Sequence, residues 1–319
     1  MAGDPFLINN ALGTDLLKTD EIHQPSGLPE EYKLSPPFKT AADALSDALR
    51  TISPGGSKTD LPVLEYAPDS FNTDCIISND SHTLKLNFKV PEAIESQMDA
   101  QNEALKLLTA ALSETKDGGA LLFEPVSPAG RFLLGNEFFR NFEKLAREKS
   151  LLLIADERRC GLGITGSVWG LDHFGLTPTA VLLGSERLGF HYLSKTDSCA
   201  ESNFSITAGL DQLFQQLEEP QTLISIRERG DYLQEKLHWL EGEFPAYVTC
   251  PWNLGLFGGF HLPSATERLH VYQNCLKNNL IPEPAGARSL LVRPSFSVTT
   301  AELDQAFEFL NRAILDTLQ

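Results

Sequence analysis

The chemically richest stretch of the chain is LLLIADERRCGLGITG, residues 151–166, where an apolar run ends abruptly in Asp156, Glu157, Arg158, Arg159 and Cys160. A carboxylate at the end of a buried strand can cap the turn that follows it, and Asp156 is open to that reading. Glu157 is expected to be a structural partner of Arg158 or Arg159 rather than a general acid. Gly161, Gly163 and Gly166 match GxGxxG, the pattern that brings a helix N-terminus onto a pyrophosphate. That chemistry needs the glycines to form the strand-to-helix turn itself. Here DERRC intervenes and GSVWGLDHFG is a poor helix start, so dinucleotide binding ranks third among the readings considered. Ser167 and Ser185 each follow a glycine directly, which leaves no GxSxG nucleophile turn and excludes the usual serine hydrolase. The seven histidines contain no HExxH. Five cysteines, an odd number without a CxxC pair, argue against a disulfide framework and a zinc site, so no metal is expected.

These residues must be positioned by regular elements, and the alternation of apolar runs with helical periodicity shows which. GALLF, a helix through NEFFRNFEKLAREKS, LLLIA, a further crossover and AVLLG read as strands and connections of a parallel sheet covered on both faces. Phe138, Phe142 and Leu145 recur at i, i+4 and i+7 on the first of those helices. Earlier strands are expected at LPVLEYA, CIIS and TLKLNFKV, and helices at residues 40–52 and 96–115. A long helix over about 223–243 leads to a section of different texture: strands LFGGFHL and SLLVRP, a helix SATERLHVYQNCLKNN, and a closing helix capped by Thr299 or Thr300. The expected division is an irregular N-terminal segment, residues 1–60; a large α/β domain, 61–243, which includes the bridging helix; and a C-terminal α+β lobe, 244–319. In a parallel sheet, ligands meet the carboxyl ends of the strands.

Charge narrows the partners. The 319 residues carry 43 Asp and Glu against 26 Lys and Arg, a formal net charge of -17, without a basic stripe. Such a surface repels nucleic acid and anionic membranes. No apolar run approaches the roughly 18 residues of a membrane helix. The first residues, MAGDPFLINN, lack both the basic start and the apolar stretch of a secretory signal, so the cytoplasm is the expected compartment. The expected partner is another protein.

Several pieces in order carry a family resemblance: GALLFEPVSPAG, then LLLIADERRCGLGITGSVWGLDHFGLTPTAVLLGSERLG, SNFSITAG and LVRPSFSVTTAELDQA. From about residue 60 to 319 the chain resembles the class III aminotransferases, the ornithine and 4-aminobutyrate type of pyridoxal-phosphate (PLP) enzyme. The lysine ε-aminotransferases look most similar. The resemblance implies the fold type I PLP-dependent transferase architecture, a large α/β domain with a mainly parallel sheet plus a smaller C-terminal α+β lobe, and a homodimer.

Carried over residue by residue, the same resemblance casts doubt on the family's chemistry. The lysine that holds PLP as an aldimine is replaced by Ser185, and a hydroxyl can neither form an imine nor act as a base near neutrality. Lys195 and His191 match other family positions. Asp156 stands where the family's carboxylate pairs with the pyridinium nitrogen. Arg159 replaces a glutamine beside the ring oxygen, and Asn203 a threonine that reaches a partner subunit's phosphate. Pro128 and Ala129 replace the Gly-Glu of a conserved loop. The segment before residue 61 is too short for the family's phosphate-binding turn and helix. Arg293 keeps the position of the arginine that grips the substrate carboxylate, with a salt bridge inside the C-terminal lobe as the alternative. These residues imply a chain that binds PLP weakly or not at all. It is expected to have lost transaminase activity and to serve as a binding, regulatory or structural subunit, in a homodimer or beside an intact paralogue. The alternative is an active PLP-dependent aminotransferase acting on lysine or another ω-amino acid.

Overall fold

Near-continuous apolar strands are stable only where both faces of their sheet are covered, and the computed structural model realises that arrangement. It describes residues 32–35, 38–39, 41–52, 63–68, 83–88, 97–113, 117–126, 135–184, 189–194 and 207–319. In chain order the first part forms β1 (Tyr32–Leu34), α1 (Ala41–Ile52), β2 (Val63–Pro68), β3 (Thr83–Phe88), α2 (Gln97–Ser113), β4 (Gly119–Phe123), α3 (Asn136–Glu148) and β5 (Leu151–Asp156). A short 3-10 helix (Gly170–Phe174), β6 (Ala180–Gly184), β7 (Gly189–Ser194), α4 (Thr207–Glu218) and α5 (Pro220–Glu243) follow.

The seven strands lie in the order β1-β7-β6-β5-β4-β2-β3. β3, β2, β4, β5 and β6 are mutually parallel, and β7 closes one side antiparallel to β6 with β1 antiparallel beyond it. Successive residues of the central strands go to opposite faces, as the two-residue strand period requires. Ala120, Leu122, Ile154, Ala180 and Leu182 pack under Ala44, Leu45 and Ala48 of α1. Leu121, Phe123, Leu153, Ala155, Val181 and Leu183 belong to the larger core on the other face, with α2 and α3. The expected strand CIIS lies outside the described residues.

α3 shows how the apolar period becomes packing. Phe138 and Phe142 are buried as the spacing predicts, and Phe139 is buried beside them. Phe142 sits 4.9 Å from the Phe123 ring at the end of β4, and Phe139 lies 4.4 Å from Phe174 of the 3-10 helix. These contacts fix the heights of β4 and of the 3-10 helix relative to α3.

α5 begins at Pro220, at the first helical turn where a missing N–H costs nothing. Its Gly230 crosses the next hairpin so closely that a Cβ there would come within 2.7 Å of the Gly255 backbone. The Gly230 carbonyl accepts a hydrogen bond from Asn253 Nδ2 at 2.9 Å. The C-terminal section forms β8 (Thr249–Leu254), β9 (Phe257–His261), α6 (Ala265–Lys277), β10 (Glu283–Ala285), β11 (Ser289–Val292) and α7 (Thr300–Leu318). Its four strands make an antiparallel sheet in the order β10-β11-β9-β8. Thr299 caps α7: its hydroxyl accepts from the Glu302 N–H while the Glu302 carboxylate accepts from the Thr299 N–H.

Candidate functional site

β4 and β5 are neighbouring parallel strands, and their carboxyl ends bring Glu124 and Asp156 to one edge of the sheet. Asp156 is the last residue of β5 and is buried. One carboxylate oxygen accepts from Arg158 Nε at 2.8 Å and the other from Arg158 Nη2 at 2.7 Å, a two-pronged ion pair between residues two apart. The Arg158 backbone N–H also donates to Asp156, at 3.2 Å. Asp156 therefore caps its own turn and holds a cation at once. Burial works against the Arg158 charge, and Asp156 and Glu124 together outweigh it, raising the guanidinium above its ordinary range.

Arg159 turns the other way. Its Nη1 lies 3.0 Å from Glu124 of the sheet edge and its Nε 2.9 Å from Glu283 of β10. Glu283 reaches with its other oxygen to Arg293 Nη2 at 3.2 Å. The resulting chain, Glu124 to Arg159 to Glu283 to Arg293, links the end of β4 to β10 and to the residue that follows β11. Burial raises the Glu124 carboxyl to about 7, against the lowering pull of Arg159. With Asp156 and Arg158 included, three arginines face three carboxylates, and each of these side chains has an internal partner.

Glu157 points away from both arginines, which corrects the expected pairing. Its carboxylate is buried and accepts from the backbone N–H groups of Gly170 at 2.9 Å and Leu171 at 2.7 Å, at the start of the 3-10 helix. Cys160 donates to the same carboxylate at 3.3 Å. Burial raises Glu157 to about 7, with the two backbone hydrogen bonds acting in the opposite direction. The Cys160 thiol is pushed well up by burial and then by Glu157, which makes it a poor nucleophile. The glycines of GLGITG serve packing in the irregular segment that Glu157 anchors: at Gly163, with φ +88, a Cβ would collide with the Leu217 side chain. No helix follows them to receive a pyrophosphate, since the next helical residues are the single 3-10 turn beginning at Gly170.

The structure thus brings Asp156, Arg159 and Arg293 of the expected site into one neighbourhood, and Arg293 has the salt bridge foreseen as its alternative. Ser185, which directly follows β6, lies outside the described residues, as do Lys195, Asn203, Pro128 and Ala129. His191 is on β7, in register with Leu182 of β6. Sequence reasoning passed over Glu283, a lone acidic residue in a three-residue strand, and did not match Arg158 with Asp156. The i, i+2 spacing of opposite charges directly after a buried strand is the signal that could have found the second.

The chain superposes on the structure of lysine aminotransferase from Mycobacterium tuberculosis in the internal aldimine form with a TM-score of 0.69 at 22% identity, covering 88% of this chain and 75% of that one. It superposes on the omega-transferase from Vibrio fluvialis with a TM-score of 0.73 at 15% identity, covering 90% and 80%. The architecture is that of the fold type I PLP-dependent transferases. In sequence, residues 72–189 match the family model described as aminotransferase class-III. L-lysine-epsilon aminotransferase of Mycobacterium tuberculosis is 28% identical over 231 residues, 66% of this chain and 51% of that protein. The corresponding enzyme of Streptomyces clavuligerus is 26% identical over 239 residues, 69% and 52%. Acetylornithine aminotransferase of Thermosynechococcus vestitus is 27% identical over 229 residues, 66% and 56%. Residues 72–189 of the chain are thus similar to the class III aminotransferases, and its fold is the one those enzymes share. It spans about half the length of the curated relatives it matches.

PLP is the cofactor of the class III aminotransferases that the chain resembles, and Asp156 is where its ring nitrogen would have to be held. A carboxylate that holds a protonated ring nitrogen needs an oxygen available to accept from it. Asp156 accepts three hydrogen bonds from Arg158, two at one oxygen and one at the other, so the guanidinium is already its cation, and Arg159 is held between Glu124 and Glu283. As they stand, these residues do not fit the cofactor.

Proposed function

We propose that this chain is a class III aminotransferase relative that no longer transaminates and acts by binding, as a regulatory or structural subunit. The observation that carries this reading is the closure of Asp156 by Arg158, and Ser185 at the aldimine-lysine position supports it. The cluster at the strand ends offers neither a free amine nor a free base: Arg158, Arg159 and Arg293 are all held by carboxylates. Its partner is a protein chain, a second copy or an intact paralogue, and its acidic surface disfavours nucleic acid and anionic membranes. No helix among the described residues is long and apolar enough to cross a membrane.

The second reading, a working PLP-dependent aminotransferase acting on lysine or another ω-amino acid, is favoured by the lysine aminotransferases among its relatives and by the survival of Arg293. An amino-transfer assay of the purified chain with PLP, lysine and a 2-oxo acid separates the two. The first reading expects no turnover above buffer. Turnover that disappears in Lys195→Ala would establish the second.

A further inference from the structure

The same strand end gives a more specific account of how the site is closed, one that rests on the reading of the chain as non-transaminating. A buried carboxylate without a cation costs far more than a paired one, so a chain that does not keep a cationic ligand at Asp156 must supply a substitute or lose the charge. This chain retains the aspartate. Asp156 is 5% exposed as a side chain and Arg158 23%, so the guanidinium lies on the more open side of the pair. Arg159, the next residue along, is anchored by Glu124 and Glu283. The contact is also local, between residues two apart on one turn, so it depends on no distant part of the chain. Both prongs are short, 2.7 and 2.8 Å, and use the edge of the guanidinium that presents two parallel N–H donors.

We propose that Arg158 is an internal occupant of a cation site on Asp156, its guanidinium filling the place that a protonated aromatic ring nitrogen would take. The site is then closed by a side chain of the protein itself, with the acceptor preserved beneath it. Removing the arginine should reopen Asp156 to a planar cation carrying an N–H donor. Glu124 and Glu283 are both engaged by Arg159, which leaves Asp156 as the carboxylate that Arg158 covers.

The test uses pyridoxamine, which has the ring and an N–H donor but neither the phosphate nor the aldehyde, so that its binding depends on neither Ser185 nor a phosphate cradle. Fluorescence titration of the full chain is expected to show binding to Arg158→Ala at least about tenfold tighter than to the wild type, a factor equal to about 1.4 kcal/mol. The gain should vanish in the double variant Asp156→Asn with Arg158→Ala. Should Arg158→Ala fail to fold, Arg158→Gln, which keeps one donor on a shorter side chain, should show the same direction. Equal affinity of the wild type and both single variants would overturn the proposal, as would a gain that survives Asp156→Asn. Turnover by the wild-type chain in the amino-transfer assay would instead sink the functional reading, so the two failures are told apart.

Discussion

Replacing Glu157 with alanine should be among the most damaging single changes near the site, and its cost can be worked from the contacts. The carboxylate is buried and accepts from two backbone N–H groups, those of Gly170 and Leu171, that start the 3-10 helix. Each buried donor left without an acceptor costs about 1–3 kcal/mol, so the pair gives a loss of about 2–6 kcal/mol. Glu157→Gln keeps one acceptor oxygen and should fall near the lower end of that range. Urea unfolding followed by far-ultraviolet circular dichroism measures both, with an unchanged dependence on denaturant showing that the same surface is exposed. A pH series adds a second arm. Burial raises the Glu157 carboxyl to about 7 in the fold, so the folded chain binds a proton more readily than the unfolded one. Its contribution is fully present below the unfolded carboxyl range and is lost as pH rises through about 7; the shift corresponds to on the order of 3 kcal/mol. Glu157→Gln should remove that part of the slope between pH 5 and pH 8. A Glu157→Ala protein within about 0.5 kcal/mol of the wild type, the range of an ordinary surface change, would refute the reasoning.

Phe142→Ala removes a fully buried ring packed on Phe123 and Phe139 and should cost about 3–5 kcal/mol in the same unfolding assay. Glu283→Gln removes the carboxylate partner of Arg293 and one of the two partners of Arg159; with these side chains 21–29% exposed, the loss should be about 1–3 kcal/mol, with the segment around β10 becoming more susceptible to limited proteolysis. A Glu283→Gln chain as stable and as protease-resistant as the wild type would show that these ion pairs do not hold β10 in place.

The sheet was legible because its strands leave little choice. GALLF, LLLIA and AVLLG are apolar at successive positions, and only a sheet covered on both faces buries every one. The alternation that sorts Leu121 and Leu122 to opposite sides follows from the strand period. Thr299 as the α7 cap was readable from its hydroxyl and the acidic first turn. Glu157 was harder. Next to two arginines in sequence it reads as their partner, yet the chain reverses after Cys160 and returns Gly170 and Leu171 to it, a contact between residues 13 and 14 apart that no local pattern encodes. Glu283 was invisible for a similar reason: what gives it a role is the approach of β10 to Arg159 at the end of β4 and β5. The resemblance to the class III aminotransferases located Asp156, Arg159 and Arg293 in one site, and the structure adds that carboxylates of the chain hold both of these arginines and that Arg158 holds Asp156.

The central claim, that this chain does not hold PLP as its relatives do, is tested most directly by intact-protein mass measurement after incubation with PLP and reduction with borohydride. The account predicts the mass of the unmodified chain, with no aldimine absorbance before reduction. A stoichiometric pyridoxyl adduct mapping to one lysine, absent from Lys195→Ala, would contradict it.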